Sequence, residues 1–206
     1  MENIKVNIIQ NGITTLHTAG KYCPTNVDVV VSVPAGGQEE LAAQQAIEDS
    51  IINGTLNSYS NDRVTEIGNE AFSAKLSLIS ISCPNVKRVY NKAFCNCVSL
   101  TQVHFPALET IHDGAFSYCS TLACADFPRL EYIEMCGFEC CANLTKLILR
   151  HSQVCTLGDT MSFDYTPIAS GTGYIYVPDE LVEQYKAATN WSVYASQIRP
   201  ISELEE

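Results

Sequence analysis

Apolar side chains in the middle of the chain recur with one period. Ile67, Val89, Ile111 and Ile133 are spaced by 22 residues, as are Phe72, Phe94, Phe116 and Phe138, and Leu78, Leu100, Leu122 and Leu144. Ile81, Val103, Ala125 and Leu147 make a fourth series, and Pro84, Pro106 and Pro128 close the first three blocks. The blocks begin at Val64, Val86, Leu108 and Leu130. A block holds too few large apolar residues to bury a core by itself, so the blocks must stack and share one.

Within a block the stretch after the periodic leucine predicts a strand. Leu144-Thr-Lys-Leu147-Ile-Leu149 and Leu100-Thr-Gln-Val103-His-Phe105 have the Leu-x-x-Leu-x-Leu spacing of leucine-rich repeats. Successive strand residues face opposite ways, so Val103 and Phe105 point inward while Gln102 and His104 point outward. A second extended piece, such as Leu108-Glu-Thr-Ile111, leads into a turn carrying Ala115-Phe116.

The stretch Ile111-His-Asp-Gly-Ala-Phe116-Ser-Tyr-Cys119-Ser-Thr-Leu122 resembles the Ile-Gly-x-x-Ala-Phe-x-x-Cys-x-x-Leu pattern of the BspA-type leucine-rich repeats, a bacterial group. Ile67-Gly68 with Ala71-Phe72, and Ala93-Phe94 with Cys97 and Leu100, resemble it too. Tyr174-Ile-Tyr-Val-Pro178 through Tyr185-Lys186 to Asn190-Trp191 is similar to the ending of such arrays. The resemblance spans roughly residues 61 to 200 and implies a non-enzymatic binding module. Gly137 stands in place of the alanine before Phe138, Lys75 replaces the first cysteine, and residues 151–173 leave the register, so no fifth regular coil is predicted there.

The flanks supply the ends. Ile4, Val6 and Ile8, then Val27, Val29, Val31 and Val33, alternate around Asn11-Gly12 and Gly20, which predicts a small β unit ended by Pro34. It resembles short β modules of phage-tail proteins. A helix is expected across about 39–52, with Leu41, Ile47 and Ile51 on one face, acids in its first turn and Gly54 beyond it. Pro178-Asp179 starts a second helix with Leu181, Val182 and Tyr185 inward, and Trp191 and Tyr194 cover the last coil. The fold expected is α+β: a short leucine-rich-repeat solenoid of 22-residue repeats with an N-terminal β unit and helical caps. Its parts are a β module at 1–36, a helix and linker at 37–60, the solenoid at 61–178 and a helical cap and tail at 179–206.

Charge narrows the partners. Net charge is −11, yet residues 64–150 hold eight acids and seven bases, so the excess lies in the flanks. Acidic ends on a neutral array, with no basic patch, argue against nucleic acid and anionic membrane as ligands. No apolar run is long enough to span a bilayer, and the start alternates polar and apolar residues, so neither membrane insertion nor a cleaved signal is expected. That points to a cytoplasmic or virion-associated protein if Met1 is native, and to the cell surface if the chain was trimmed.

Catalytic chemistry finds little support. His17, His104, His112 and His151 are scattered, without a Ser–His–Asp or Cys–His arrangement. Gly36-Gly37 and Gly171-Thr-Gly173 lack the spacing of a phosphate loop. Of ten cysteines, Cys97, Cys119 and Cys141 share one repeat position and are expected to form an inward ladder of reduced thiols. Cys95 with Cys97, and Cys140 with Cys141, lack the gap of a zinc knuckle, so neither metal nor cofactor is expected.

Recognition is therefore assigned to outward positions: Ser80 and Ser82, Gln102 and His104, Cys124 and Asp126, and Lys146, Ile148 and Arg150. The partner expected is a protein or a glycan. A second surface, carrying Glu66, Lys87, Arg88, Glu109 and Tyr132, lies on the other extended segment, and the sequence does not choose between them. The competing reading is a structural subunit of a phage tail or cell surface.

Overall fold

The computed structural model describes the backbone of three strands at 2–10, 12–19 and 31–32 and, with side chains, residues 57–204. The helix expected at 39–52 and the Gly36-Gly37 linker lie outside the described residues. Near the N-terminus β1 (Glu2–Gln10) pairs antiparallel with β2 (Gly12–Ala19) and parallel with β3 (Val31–Ser32).

From residue 58 onward the chain winds into coils with short parallel strands on two flanks. On the first flank β4 (Ser58–Ser60), β6 (Ser80–Ser82) and β8 (Gln102–His104) form one sheet. Beyond them β10 (Cys124–Phe127), β12 (Lys146–Leu149), β14 (Tyr174–Val177) and β15 (Ile198–Pro200) form another. On the second flank β5 (Glu66–Ile67), β7 (Arg88–Val89), β9 (Thr110–Ile111), β11 (Tyr132–Ile133) and β13 (Thr156–Leu157) make a five-stranded parallel sheet. Through β12 on the first flank and β11 on the second, every pairing joins residues 22 apart, for example Ile81 with Val103 and Val89 with Ile111.

The third side of each coil is a turn whose N–H groups point at the next coil. Glu70, Phe72 and Ala74 donate to the carbonyls of Asn91, Ala93 and Cys95 at 2.7–2.9 Å, and Lys92, Phe94 and Asn96 repeat this toward Asp113, Ala115 and Ser117. Aiming alternate amides the same way requires left-handed backbone at two positions per turn. Glu70, Lys92, Gly114 and Cys136 have φ of 52–60°, and Ala74, Asn96, Tyr118 and Cys140 have φ of 55–62°. Among them only Gly114 and Asn96 are residue types suited to that region.

The shared core lies between the three sides. Phe72, Phe94, Phe116, Phe138 and Phe163 stack in one file with ring centroids 5.2, 5.2, 5.4 and 5.8 Å apart, within the range of favourable aromatic pairs. Phe105 and Phe127 tilt against that file at 5.9–6.5 Å. Cys97, Cys119 and Cys141 are wholly buried free thiols, each donating to the carbonyl of the phenylalanine 25 residues earlier, at 2.9, 3.2 and 3.0 Å. The inward ladder is therefore present, and its members are hydrogen-bonded as well as packed.

The ends of the array depart from the regular period, as the lost register at 151–173 implied. A fifth coil is present: Leu157 pairs beside Ile133, Phe163 stacks on Phe138 and Ile175 pairs beside Leu147, but these residues come 24, 25 and 28 positions later instead of 22. The extra residues leave in surface loops, which a solenoid tolerates while its inward positions stay filled. The strands also extend past 61–178, because Tyr59 pairs beside Ile81 and Ile198 beside Ile175.

The second helix is short. A single 3₁₀ turn at Asp179–Leu181 runs into α1 (Val182–Ala187), followed by another 3₁₀ turn at Trp191–Tyr194. Leu181, Tyr185, Trp191 and Tyr194 are buried, and Val182 packs against the core. These residues satisfy the end of the five-stranded sheet with side chains. The Tyr185 hydroxyl accepts from the Cys155 N–H at 2.8 Å, Trp191 Nε1 donates to the Cys155 carbonyl at 2.6 Å, and Asn190 Nδ2 donates to the Leu157 carbonyl at 2.8 Å. The Tyr194 hydroxyl donates to the Thr160 carbonyl.

Candidate functional site

The two strand flanks treat their outward side chains differently. On the five-stranded sheet the polar residues engage one another. Arg88 meets Glu66 at 2.7 Å, Lys87 meets Glu109 at 3.0 Å, and His112 Nδ1 lies 3.0 Å from Glu134 while its ring stacks on Tyr90 at 4.7 Å. Four of the five residues of the second surface named from sequence are thus paired within the protein.

On the first flank the outward row follows the register. Ser80 stands beside Gln102 and Ser82 beside His104, while Cys124, Lys146 and Tyr174 line up across three strands. Gln102 and His104 are exposed, and among the described residues their side chains make no hydrogen bond. Ser80, Ser82, Asp126 and Lys146 are half-buried. Arg150 grips Asp126 with Nε at 3.1 Å and Nη2 at 2.8 Å, a two-pronged contact suited to a planar guanidinium. Ile148 corrects the sequence reading. It lies on the outward side, but between Asp126 and Tyr176 it keeps only 5% of its surface, so this isoleucine fills space between strands and offers no contact area.

The row continues past the residues named from sequence. Tyr174 follows Lys146 in register and Tyr176 stands beside Arg199 on β15. Here the surface dips into a concavity of about 380 Å³. Its charged lining is Lys146, Arg199 and Glu203, its rings are Tyr174 and Tyr176, and Thr145 and Thr172 add hydroxyls. The Arg199 guanidinium lies 4.9 Å from the centre of the Tyr174 ring, with Nε 4.0 Å from Glu203. The longer fifth coil hid this end, since counting 22 from Lys146 and Ile148 lands short of both tyrosines. Their alternation around the buried Ile175 was the available signal.

Four of the thiols are held in the protonated, less reactive form. Burial pushes Cys83 and Cys97 up to about 12 and Cys119 well above its ordinary value. At the exposed Cys124 burial of the thiol and then the Asp126 carboxylate act in the same direction. Each stays protonated near neutrality, whereas a thiolate is the reactive form. Among the described residues no group of three or more His, Cys, Asp or Glu is placed to hold a metal ion, and no helix is long and apolar enough to cross a membrane.

Comparison with solved structures gives related folds. The leucine-rich repeat protein of T. pallidum superposes with a TM-score of 0.51 at 22% identity, covering 60% of this chain and 58% of its own. A leucine-rich repeat protein of Bacteroides ovatus gives 0.53 at 25% identity, covering 71% of this chain and 36% of its own. The chain thus spans less than two thirds of either neighbour. A search of curated proteins gave no match. Residues 55–173, most of which wind into coils of that pattern, match the BspA type leucine rich repeat region in six copies, and the chain belongs to that family.

Proposed function

We propose that this protein is a non-enzymatic interaction module that recognises a protein or a glycan through the outward row of its first flank. Repeat modules of this family serve as interaction or structural scaffolds. The observation that carries the choice of face is the contrast in pairing. The second flank spends its polar groups on one another, whereas Gln102 and His104 stand exposed without a partner among the described residues. The row from Ser80 and Ser82 through Gln102, His104 and Asp126 to Lys146 and Arg150 is close to neutral, so binding there rests on shape and hydrogen bonds rather than long-range steering.

The division of labour follows. The array supplies the recognition row along strands that run from Ser58 to Pro200, and the segment from Asp179 onward covers its C-terminal end. Nucleic acid and bilayer are not its partners in this reading, and it needs no cofactor. The competing reading, an assembly subunit whose array spaces its neighbours, draws on the three-stranded N-terminal sheet. The double variant Gln102→Ala with His104→Ala separates them. It should weaken capture of the cognate partner while leaving thermal melting nearly unchanged, because surface substitutions are usually within about 0.5 kcal/mol. Undiminished capture would move the interface elsewhere.

A further inference from the structure

The turns on the third side of the coils change character along the array. In the first two coils they carry Glu70, Lys75 and Lys92, whereas residues 112–122, 134–144 and 158–170 hold Asp113, Glu134, Glu139, Asp159 and Asp164 and no lysine or arginine. These carboxylates converge across coils. Burial first, then Glu139, Asp159 and Asp113, push the Cys136 thiol up to about 11, and after burial Asp164 and Asp159 both raise the Tyr194 hydroxyl. Glu134 is already engaged, by His112 Nδ1 and the Asp113 N–H at 3.0 Å each. Asp113, Glu139, Asp159 and Asp164 pair with no cation among the described residues.

The same stretch exposes large apolar side chains. Tyr118 and Tyr165 keep 46 and 77% of their surface, and Met135 and Met161 keep 48 and 44%. Tyr118, Cys140 and Tyr165 occupy one row, at φ of 62, 59 and 59°, because the Tyr118 N–H donates to the Glu139 carbonyl and the Cys140 N–H to the Asp164 carbonyl, at 2.8 Å each. Left-handed backbone disfavours a residue with a Cβ, and rings this exposed recover little of that cost by packing. Ala74 and Asn96 hold the row in the first two coils, so the turn itself does not require an aromatic. Met135 and Met161 sit on neighbouring coils, each beside one end of the 2.9 Å bond from Ser162 Oγ to the Glu134 carbonyl.

Aromatic faces and thioethers among carboxylates fit a partner of opposite charge with an apolar component. A guanidinium or ammonium group gains from a ring face and from the carboxylates together, and methionine adapts to varied aliphatic side chains. A second copy of this chain is disfavoured, since it would set acid against acid on a protein of net charge −11. Nucleic acid and anionic lipid are repelled for the same reason. The phenylalanine file beneath advances by 5.4 and 5.8 Å from Phe116 through Phe138 to Phe163, so the two tyrosines, each two positions further on, are about three extended residues apart.

We propose that this face docks a basic, partly apolar segment of a partner protein. Its lysine or arginine side chains rest on Tyr118, Tyr165 and the carboxylates, and its aliphatic side chains on Met135 and Met161. The surface lies outside the outward row of the first flank, so it adds a second contact and stands independent of that row.

The test titrates the full chain, in low-salt buffer, with a capped pentapeptide alternating arginine and leucine. Control peptides alternate glutamate with leucine and arginine with glycine, and spermidine supplies charge alone. The arginine and leucine peptide should bind with a Kd on the order of 0.1–1 mM, about threefold or more ahead of each control. Tyr118→Ala with Tyr165→Ala should weaken it about tenfold, the value of two exposed cation–π contacts, while Tyr118→Phe with Tyr165→Phe keeps affinity. Glu139→Gln with Asp164→Asn should weaken it about fivefold and flatten its salt dependence. Circular dichroism melting verifies that each variant is folded. Absent binding, equal binding of any control, or indifference to loss of both rings in a folded protein would each overturn the proposal, as would a dimer in sedimentation that loss of the rings disperses. The first-flank reading fails separately, because Gln102→Ala with His104→Ala should leave peptide affinity within about twofold, as expected for uncoupled distant sites.

Discussion

Gly137 stands where the three preceding coils carry Ala71, Ala93 and Ala115, and the reason is local. A Cβ at Gly137 would lie 2.7 Å from Ile133 Cγ2, closer than packed carbons tolerate. Gly137→Ala, although it restores the repeat pattern, should therefore destabilise by about 1–3 kcal/mol in urea unfolding, the usual cost of forcing a methyl into a filled core. A stabilising outcome would mean that Ile133 has room to turn. The thiols permit a residue-level test of a different kind. Iodoacetamide at mildly alkaline pH should label the exposed Cys124 in the folded protein and spare Cys97, Cys119 and Cys141, which are buried and bonded to main-chain carbonyls. Denatured protein should yield all ten modified cysteines. Early labelling of the ladder in native buffer would contradict its placement.

At the scale of elements, the closing segment carries the sharpest expectation. Trp191 fills space against Phe163 and Tyr185, at 5.9 and 5.4 Å, and also occupies the Cys155 carbonyl that another coil would have bonded. Trp191→Phe keeps an aromatic ring but orphans that carbonyl, and should cost about 1–3 kcal/mol. Trp191→Ala should cost about 3–5 kcal/mol, similar to Phe116→Ala in the middle of the file. Equal, small losses in both Trp191 variants would show that the segment is not holding the sheet end. The regular coils were legible in the sequence because each inward position is filled by one residue class at a constant interval, so Phe72 through Phe138 could be counted. Phe163 could not, since loops of the fifth coil displaced it while the core position stayed occupied. The site divided along the same line. Gln102 and His104 were readable from strand alternation, whereas Ile148 misled because alternation tells which side a residue faces and not what its neighbours cover. Tyr174, Arg199 and Glu203 come together through β14, β15 and the 3₁₀ turn Ile201–Glu203, a convergence of the C-terminal segment that no periodic pattern encodes.

Across the whole molecule, burial of protonated groups predicts how stability depends on pH. Cys83 and Cys97 are raised to about 12, Cys136 to about 11 and Tyr194 to about 12, in each case chiefly by burial. The unfolded chain would release these protons from about 9 for cysteine and 10 for tyrosine, while the folded chain retains them. Stability from these groups is therefore complete below pH about 9 and declines as pH climbs toward 12, because the unfolded state then binds fewer protons. Melting temperatures across that interval should fall steadily, and Cys97→Ala should flatten the fall. A level profile would mean that the thiols are solvated. A second global property follows from the pairing of residues one period apart in the regular coils. Length there is quantised: a tandem duplication of the coding stretch for one such coil inserts a unit whose two faces already match its neighbours, whereas other insertions keep the stack in register only where the added residues leave in a surface loop, as in the fifth coil. Since side chains already occupy the sheet end at Cys155 and Leu157, such growth falls before that end, and the gene can lengthen its product without reinventing the C-terminal cap.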